Sequence, residues 1–247
     1  MCDSCGCGDT HVVPVDVHQR LLAANDRVAA HNREHFADHQ VVAINLMGSP
    51  GAGKTAILEA TAAALAAMDD NAGLGVLAGD LATDNDAIRL RAAGIIAETI
   101  TTGSACHLDA EMVHRGLHGI PWRELDYLFI ENVGNLVCPA IYDLGQAANV
   151  VALSVAEGED KPLKYPTMFR KADLVLLTKV DLLPALPDVS IGRIEQNLIA
   201  VMPKPAMLPI SARTGEGVEQ WIRWLRGAGH PRAARCVIGP SATEACL

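Results

Sequence analysis

A glycine-rich motif directly after an apolar run constrains the fold of this chain more than any other feature of its sequence. Residues 41–47 are almost entirely apolar, which is typical of a strand buried on both faces of a sheet. The motif GSPGAGKT fills residues 48–55, and the Ala- and Leu-rich residues 56–68 predict a helix immediately after it. Strand, glycine-rich loop and helix in this order identify a P-loop, a backbone cradle for phosphate groups.

The rest of the chain alternates short apolar segments with longer segments of helical spacing. We predict strands at residues 75–78, 95–99, 125–130, 150–155, 174–178 and 206–210, and helices at residues 84–93, 108–117, 189–201 and 217–226. This alternation predicts an α/β fold of the P-loop NTPase type, with a mostly parallel sheet and helices on both faces. The predicted organisation is a flexible metal-binding tail at 1–20, a helix at 21–39, a G domain at 40–228 and a poorly ordered tail at 229–247.

Composition excludes two classes of partner. The 247-residue chain carries a formal net charge of -9, whereas binding to nucleic acid depends on clustered Lys and Arg. No apolar stretch approaches the ~20 residues needed to span a bilayer, and the N-terminus lacks the pattern of a signal peptide. We therefore expect a cytoplasmic protein that binds neither nucleic acid nor membrane. Its seven cysteines, an odd number, favour metal sites or free thiols over a disulfide framework.

Each residue type of the P-loop has an expected role. The glycines allow backbone N–H groups to point inward around the phosphates, and the helix N-terminus adds a favourable dipole. Lys54 is expected to reach the β- and γ-phosphates, and the Thr55 hydroxyl to coordinate Mg²⁺. The predicted nucleotide-binding residues of the loop are Gly48, Ser49, Gly51, Ala52, Gly53, Lys54 and Thr55.

A second motif identifies the base as guanine. The sequence TKVD at residues 178–181 ends an apolar strand. The Asp181 carboxylate can accept two hydrogen bonds from guanine, whereas adenine has no matching pair of donors, and the stem of Lys179 would lie over the base. Ser211 and Ala212 follow the last predicted strand and fit a second guanine-contacting loop. GTPases usually carry Asn in place of Thr178, so we expect a weaker contact from this position to the P-loop.

Acidic residues at the ends of two further strands complete the predicted catalytic site. Asp80 and Glu131 lie where parallel sheets bind ligands, so they are candidates for holding Mg²⁺ and the attacking water. Gly134 is placed to donate its N–H to the γ-phosphate. Because the sequence offers no Gln suited to orient water and no arginine finger, we expect slow hydrolysis of GTP by Lys54, Asp80 and Glu131.

Three thiols lie within the first seven residues. Cys2, Cys5 and Cys7 can converge on one ion without long-range folding, and thiolates suit Zn²⁺, Ni²⁺ or Cu⁺. Three thiolates with a backbone or terminal amine would give a square-planar site, which Ni²⁺ favours, whereas a structural zinc site usually has four Cys or His ligands. The alternative is a reactive tail without a bound metal.

Two further groups of residues allow either a metal site or a structural role. Cys106, His107 and Cys138 follow strand ends near the expected γ-phosphate, so a metal held there would respond to the nucleotide. Spacing alone favours the other interpretation, buried structural cysteines. Three histidines share one face of the predicted N-terminal helix, where they form either a metal site or a solvated polar face. They are His31, His35 and His39.

Together these motifs resemble the HypB family of nickel-incorporation GTPases, which serve nickel-iron hydrogenase maturation. The resemblance rests on CxxCGC, GSPGAGKT, GDLATDNDA, TGSACHLDA, LFIENVGNLVCP, EGEDKPLKYP and TKVDLLP, in family order over nearly the whole chain. It implies a high-affinity nickel site at the N-terminal thiols, and a weaker nickel or zinc site in a homodimer interface formed by Cys106, His107 and Cys138. It also implies GTP-dependent dimerisation, hydrolysis during nickel delivery, and hydrogenase maturation proteins and the hydrogenase large subunit as partners.

Some features leave alternatives open. The chain lacks the long His-rich stretch of some family members, which favours delivery of nickel over bulk storage. The rivals are a urease-type nickel-insertion GTPase such as UreG, a nickel or zinc buffering protein with vestigial GTPase activity, and a small-molecule kinase. CxxCGC and TGSACHLDA favour the hydrogenase branch, and TKVD argues against a kinase. Either Lys161 or Lys164 is expected near the nucleotide, whereas Cys236 and Cys246 have no assigned role.

Overall fold

A seven-stranded parallel sheet lies at the centre of the protein. The computed structural model describes residues 15–68, 72–80, 84–103 and 105–228. Within them the strand order is β3-β2-β4-β1-β5-β6-β7, and every neighbouring pair is parallel, which confirms the predicted fold class. The strands are β1 (Val42–Gly48), β2 (Leu74–Asp80), β3 (Ile96–Thr101), β4 (Tyr127–Glu131), β5 (Ala148–Ser154), β6 (Leu174–Thr178) and β7 (Met207–Ile210).

In the described residues, eight α-helices accompany the sheet, and seven of them form its two helical layers. They are α1 (Val15–Asp38), α2 (Lys54–Ala67), α3 (Asn85–Ala92), α4 (Ala110–Gly116), α5 (Lys161–Lys164), α6 (Pro166–Lys171), α7 (Ile191–Val201) and α8 (Val218–Ala228). Helices α2, α3 and α8 pack on one face, and α1, α4, α6 and α7 pack on the other. The sequence did not predict α5 and α6, because helices of four and six residues are too short to show apolar periodicity. None of the described helices is long and apolar enough to cross a membrane.

The N-terminal helix begins earlier than the sequence indicated. We predicted a helix from residue 21, but α1 begins at Val15, inside the stretch expected to be a tail. The fully buried Asn32 fixes α1 to the domain, because its Nδ2 donates to the backbone carbonyls of Ala110 at 2.9 Å and Leu144 at 3.2 Å. The helix is therefore a packed part of the α4 face.

Alternate residues of each strand face opposite helical layers. Val150 and Ala152 of β5 pack with α2 and α8, whereas Val151 and Leu153 pack with α6 and α7. Both sets are apolar because helices cover both faces of the sheet. Since all strands run parallel, the loops that follow them meet at one edge, where open sheets of this kind bind ligands.

Candidate functional site

The P-loop joins β1 to α2 and holds a buried lysine. Gly48 has a φ of +147°, and a Cβ at this position would lie 2.5 Å from the Ala152 carbonyl oxygen, so the turn requires glycine. Lys54 Nζ donates to the carbonyl oxygens of Gly48 and Ser49, each at 3.3 Å. Burial lowers the pKa of Lys54, and the nearby Glu131 carboxylate opposes this effect. A buried amine at a helix N-terminus is suited to bind phosphate groups.

Two carboxylates converge on the hydroxyl that follows this lysine. Thr55 Oγ1 lies 2.9 Å from Asp86 Oδ1 and 3.0 Å from Glu131 Oε1. Glu131 is 4% exposed, and its Oε2 has no hydrogen-bond partner among the described residues. Burial raises the pKa of Glu131 to about 7, although Lys54 acts in the opposite direction. An orphaned buried carboxylate oxygen beside a hydroxyl fits a hard cation with oxygen ligands, such as Mg²⁺.

A cavity of about 520 Å³ runs along the P-loop and these carboxylates. Lys54, Asp80 and Glu131, the predicted catalytic residues, all line it. Gly134 lines it from the loop after β4, and a Cβ on this glycine would lie 2.7 Å from Pro50 Cγ. The loop after β4 therefore lies directly against the P-loop.

A second cavity, of about 280 Å³, continues toward β6 and β7. Gly53 and Lys179 border both cavities, so the two spaces adjoin. Asp181 lines the second cavity, and its Oδ1 accepts a 2.7 Å hydrogen bond from Ser211 Oγ. Ala212 also lines it. The adjoining cavities suit a nucleotide whose phosphates lie at the P-loop and whose base faces a carboxylate.

Residues at the end of β6 tie the second cavity to the P-loop. The buried Thr178 Oγ1 donates to the Ala52 carbonyl at 2.6 Å, and Lys179 Nζ donates to the Gly51 carbonyl at 2.6 Å. The expected contact from Thr178 is thus present as one short hydrogen bond. An Asn side chain, with two N–H donors, has the capacity for one more.

The segment after β5 also reaches the P-loop. Ser49 Oγ donates to a carboxylate oxygen of Glu157, and Lys161 Nζ pairs with Glu157 at 3.3 Å. Lys164 instead forms an exposed ion pair with Asp160 at 2.7 Å. Of the two lysines left open by the sequence, Lys161 is therefore the one linked to the P-loop.

A group of two thiols and an imidazole lies after β3 and β4. The possible ligand atoms of Cys106, His107 and Cys138 all lie within 4.8 Å of one another. Tyr142 stacks on the His107 ring, with centroids 3.9 Å apart. Burial lowers the pKa of His107, and a hydrogen bond with Cys106 is the main cause that raises the pKa of Cys138. Both cysteines are partly exposed, which differs from the packed structural cysteines that spacing alone favoured.

A buried asparagine joins this group to the phosphate cavity. Asn132 follows Glu131 directly, lines the phosphate cavity and is 1% exposed. Its Oδ1 accepts from the Leu108 backbone N–H at 3.2 Å, one residue beyond His107. Its Nδ2 donates to Asn45 Oδ1 at 3.1 Å, which fixes the orientation of the amide. Asn132 therefore links the wall of the phosphate cavity to the segment that carries Cys106 and His107.

The family follows from comparison with known proteins. A family model described as "CobW/HypB/UreG, nucleotide-binding domain" matches residues 42–208. A hydrogenase maturation factor HypB from Rhizobium leguminosarum bv. viciae is 48% identical over 224 residues, which cover 91% of this chain and 74% of the relative. This chain belongs to the HypB family of hydrogenase maturation factors.

Two further HypB proteins bear on the site. A crystal structure described as HypB from Helicobacter pylori in complex with nickel has a TM-score of 0.77 and 38% sequence identity, covering 83% of this chain and 95% of its own. A hydrogenase/urease maturation factor HypB from Helicobacter hepaticus is 46% identical over 188 residues, covering 74% of this chain and 75% of the relative. The shared fold places this chain among P-loop proteins that bind and hydrolyse nucleotides.

Sequence reasoning about this HypB chain did not identify two residues of the site. Asp86 and Asn132 lie within GDLATDNDA and LFIENVGNLVCP, but the strand-end argument selected only the residues that close a strand, Asp80 and Glu131. Asp86 contacts Thr55, and Asn132 contacts Leu108. Each pair is distant in sequence, so residue spacing could not have indicated either contact. The N-terminal thiols and the C-terminal tail with its two cysteines lie outside the described residues.

Proposed function

We propose that this protein is a GTP-hydrolysing nickel metallochaperone that delivers nickel to the hydrogenase large subunit during maturation. The observation that carries this proposal is the hydrogen bond from the Leu108 N–H to Asn132 Oδ1. This bond connects Asn132, which follows the proposed catalytic residue Glu131, to the segment that carries the proposed ligands Cys106 and His107. When a metal-binding loop and a nucleotide-binding loop are joined in this way, a small displacement of one loop can change the ligand affinity of the other.

The ligand chemistry supports nickel as the cargo. Two thiolates and an imidazole suit soft or borderline divalent ions, which include Ni²⁺ and Zn²⁺. The pKa of Cys138 is raised, so metal binding must displace its thiol proton, and the affinity for the ion should fall as the pH is lowered. We propose that the N-terminal thiols Cys2, Cys5 and Cys7 hold nickel tightly, and that the interior cluster holds it in transit.

The nucleotide in this proposal is GTP. Asp181 presents a carboxylate at the base end of the cavity, oriented by Ser211, and guanine offers the matching N–H donors. Thr55, Asp86 and Glu131 would hold Mg²⁺, with Asp80 on the same cavity wall, and the ion would neutralise charge on the phosphate oxygens. Hydrolysis is expected to be slow.

Nucleotide state would act on the metal through the loop after β4. Phosphates that engage Lys54 and Gly134 would reposition Glu131 and Asn132, and Asn132 would move the His107 segment. The coupling is reciprocal, so bound nickel must change the affinity for GTP by the same factor as GTP changes the affinity for nickel. We further propose that GTP favours a homodimer and that other hydrogenase maturation proteins are partners of this protein.

The test is a nickel titration of the full chain with GTP, a non-hydrolysable GTP analogue or GDP. We expect the interior cluster to show nickel affinities that differ between GTP and GDP by about 5- to 150-fold. Asp181→Asn should weaken GTP binding relative to ATP, whereas Glu219→Gln, at an exposed carboxylate of α8 that pairs with Arg223 at 2.9 Å, is the control. Equal nickel affinities in all nucleotide states would instead identify a buffering protein.

A second candidate, nickel insertion into urease, is favoured by one observation. The Helicobacter hepaticus relative carries the name hydrogenase/urease maturation factor. Supplying the nickel-loaded protein to apo-hydrogenase and to apo-urease, each with its own accessory proteins, separates the two. Activation of urease alone would replace the hydrogenase proposal.

A further inference from the structure

Three histidines from two helices meet on the face of the sheet covered by α1 and α4. His31 and His35 stand four residues apart on α1, so they share one side of the helix, and their ring centroids are 4.1 Å apart. His114 of α4 lies with its ring centroid 5.4 Å from His31 and 5.8 Å from His35. One ring nitrogen from each of the three can be chosen so that all lie within 4.8 Å of one another.

The sequence had indicated a different set. It grouped His39 with His31 and His35, but His39 packs edge-on against Trp122, with centroids 5.1 Å apart. Its place is taken by His114, a residue about 80 positions further along the chain that no helical spacing could reveal. Helix packing, which brings α4 against α1, creates the group.

A buried amide orients the third imidazole. Asn32 is fully buried and donates both Nδ2 hydrogens, to the carbonyls of Ala110 and Leu144. Its Oδ1 must therefore accept, and it lies 3.0 Å from His114 Nδ1. His114 Nδ1 thus carries the proton, and Nε2 keeps its lone pair free for a ligand bond. Metal-binding histidines are commonly held in this way by a second hydrogen bond on the other ring nitrogen.

We propose that His31, His35 and His114 bind one divalent transition ion, of the class of Ni²⁺, Zn²⁺ or Cu²⁺, and that the ion clamps α1 onto α4. Nitrogen ligands about 2.0–2.1 Å from a tetrahedral ion are about 3.4 Å from one another, so the rings need to approach by about 1.4 Å at most. Imidazole nitrogens without thiolates suit these borderline ions. The site is separate from the proposed GTP-dependent delivery route and is a further metal site of the protein.

Aromatic packing alone is the simpler alternative, and two features argue against it. His35 does stack on Trp122, with centroids 5.9 Å apart, but His31 is exposed and gains little by packing beside two other imidazoles. Three like rings that each can become cationic also repel one another when protonated. Burial, with His31, His114 and Arg123, lowers the pKa of His35 against the effect of Asp38, which favours the neutral form that binds metal.

The test measures Ni²⁺ and Zn²⁺ binding by calorimetry to the full chain after the competing thiols are removed. The background carries serine at all seven cysteines: Cys2, Cys5, Cys7, Cys106, Cys138, Cys236 and Cys246. We expect one equivalent of Ni²⁺ to bind with nitrogen and oxygen ligands only, as read by X-ray absorption, and to raise the melting temperature. His31→Gln, His35→Gln and His114→Gln should each weaken this binding by about tenfold or more.

Matched controls come from two neighbouring histidines. His39→Gln and His118→Gln alter exposed rings on the same surface, one of them 5.7 Å from His114, and should leave the affinity unchanged. Because His31 is exposed, His31→Gln tests the site without disturbing the fold. Binding that is absent in the background, that survives all three substitutions, or that falls equally in the controls would overturn the proposal.

Discussion

The described part of this protein contains two groups of possible metal ligands, and a buried asparagine supports each of them. Asn132 contacts the segment that carries Cys106 and His107, and Asn32 contacts His114. The two asparagines differ in what else their side chains contact. Asn132 lines the phosphate cavity beside Glu131, whereas the described hydrogen bonds of Asn32 lead to Ala110, Leu144 and His114, none of which lines either cavity.

From this difference we infer that any response of metal affinity to nucleotide depends on how a ligand group is connected to the phosphate cavity, and not on which ligands it contains. The thiol group follows β3 and β4 at the carboxyl edge of the sheet, where the phosphates bind. The histidine group is supported by helix packing on the α1–α4 face. We therefore expect nucleotide to change metal affinity at the first group and to leave it unchanged at the second.

The largest expected effect comes from Lys54→Ala. Loss of the buried amine removes the cation that lies inside the P-loop and should lower the rate of GTP hydrolysis by about a hundred- to thousandfold. The difference in nickel affinity between GTP and GDP at the thiol group should disappear with it. Hydrolysis is measured by phosphate release, and nickel affinity by competition with a chelator.

The control for this variant is metal binding without nucleotide. Affinities at the thiol group and the histidine group should match wild type, because Lys54 contacts none of their ligands in the described hydrogen bonds. A GTP-dependent nickel affinity that persists in the variant would break the comparison.

A second prediction concerns Glu131, the residue before Asn132, and its effect on the pH dependence of protein stability. Burial raises the pKa of Glu131 from 4.5 to about 7, so the folded protein binds a proton that the unfolded chain releases between these values. Stability of the nucleotide-free protein should therefore fall as pH rises from 4.5 to 7, by about 3 kcal/mol from this group. Glu131→Gln should remove this part of the pH dependence, as measured by chemical denaturation at pH 5 and pH 8.

Glu219→Gln is the matched control. Glu219 is an exposed carboxylate on α8 that pairs with Arg223 at 2.9 Å, so its loss should leave the pH profile close to wild type. Denaturation profiles of Glu131→Gln and wild type that stay parallel would show that the buried carboxylate does not titrate in this range.

Much of the fold and of the nucleotide site could be predicted from sequence because both depend on local patterns. Most of the seven strands contain short apolar runs, and the P-loop and TKVD are continuous motifs. What could not be predicted depends on packing between distant segments. Asp86 meets Thr55 across 31 positions, and His114 joins the α1 histidines through helix packing. The burial that raises the pKa of Glu131 likewise exists only in the folded protein.

Asn132→Ala tests the connection itself. The substitution removes the acceptor for the Leu108 N–H, so the ratio of nickel affinities between GTP and GDP, expected at about 5- to 150-fold, should fall toward one. Asn45→Ala is the control, because it removes the acceptor for Asn132 Nδ2 but keeps the bond to Leu108. Both variants are measured with serine at the three N-terminal cysteines. An unchanged ratio in Asn132→Ala would exclude this amide as the connection.

The smallest expected effect separates orientation from general support at the histidine group. Asn32→Ala frees His114 Nδ1 and should weaken Ni²⁺ binding there by about tenfold, with no dependence on nucleotide. Asn25→Ala provides the control: Asn25 also anchors α1, accepting from the Ala110 N–H at 2.9 Å, but contacts none of the three imidazoles in the described hydrogen bonds. If both variants weaken binding equally, loosening of α1 explains the loss. If only Asn32→Ala does so, the amide orients the ligand. A buried asparagine would then support each metal group, and only Asn132 would connect its group to the site of GTP.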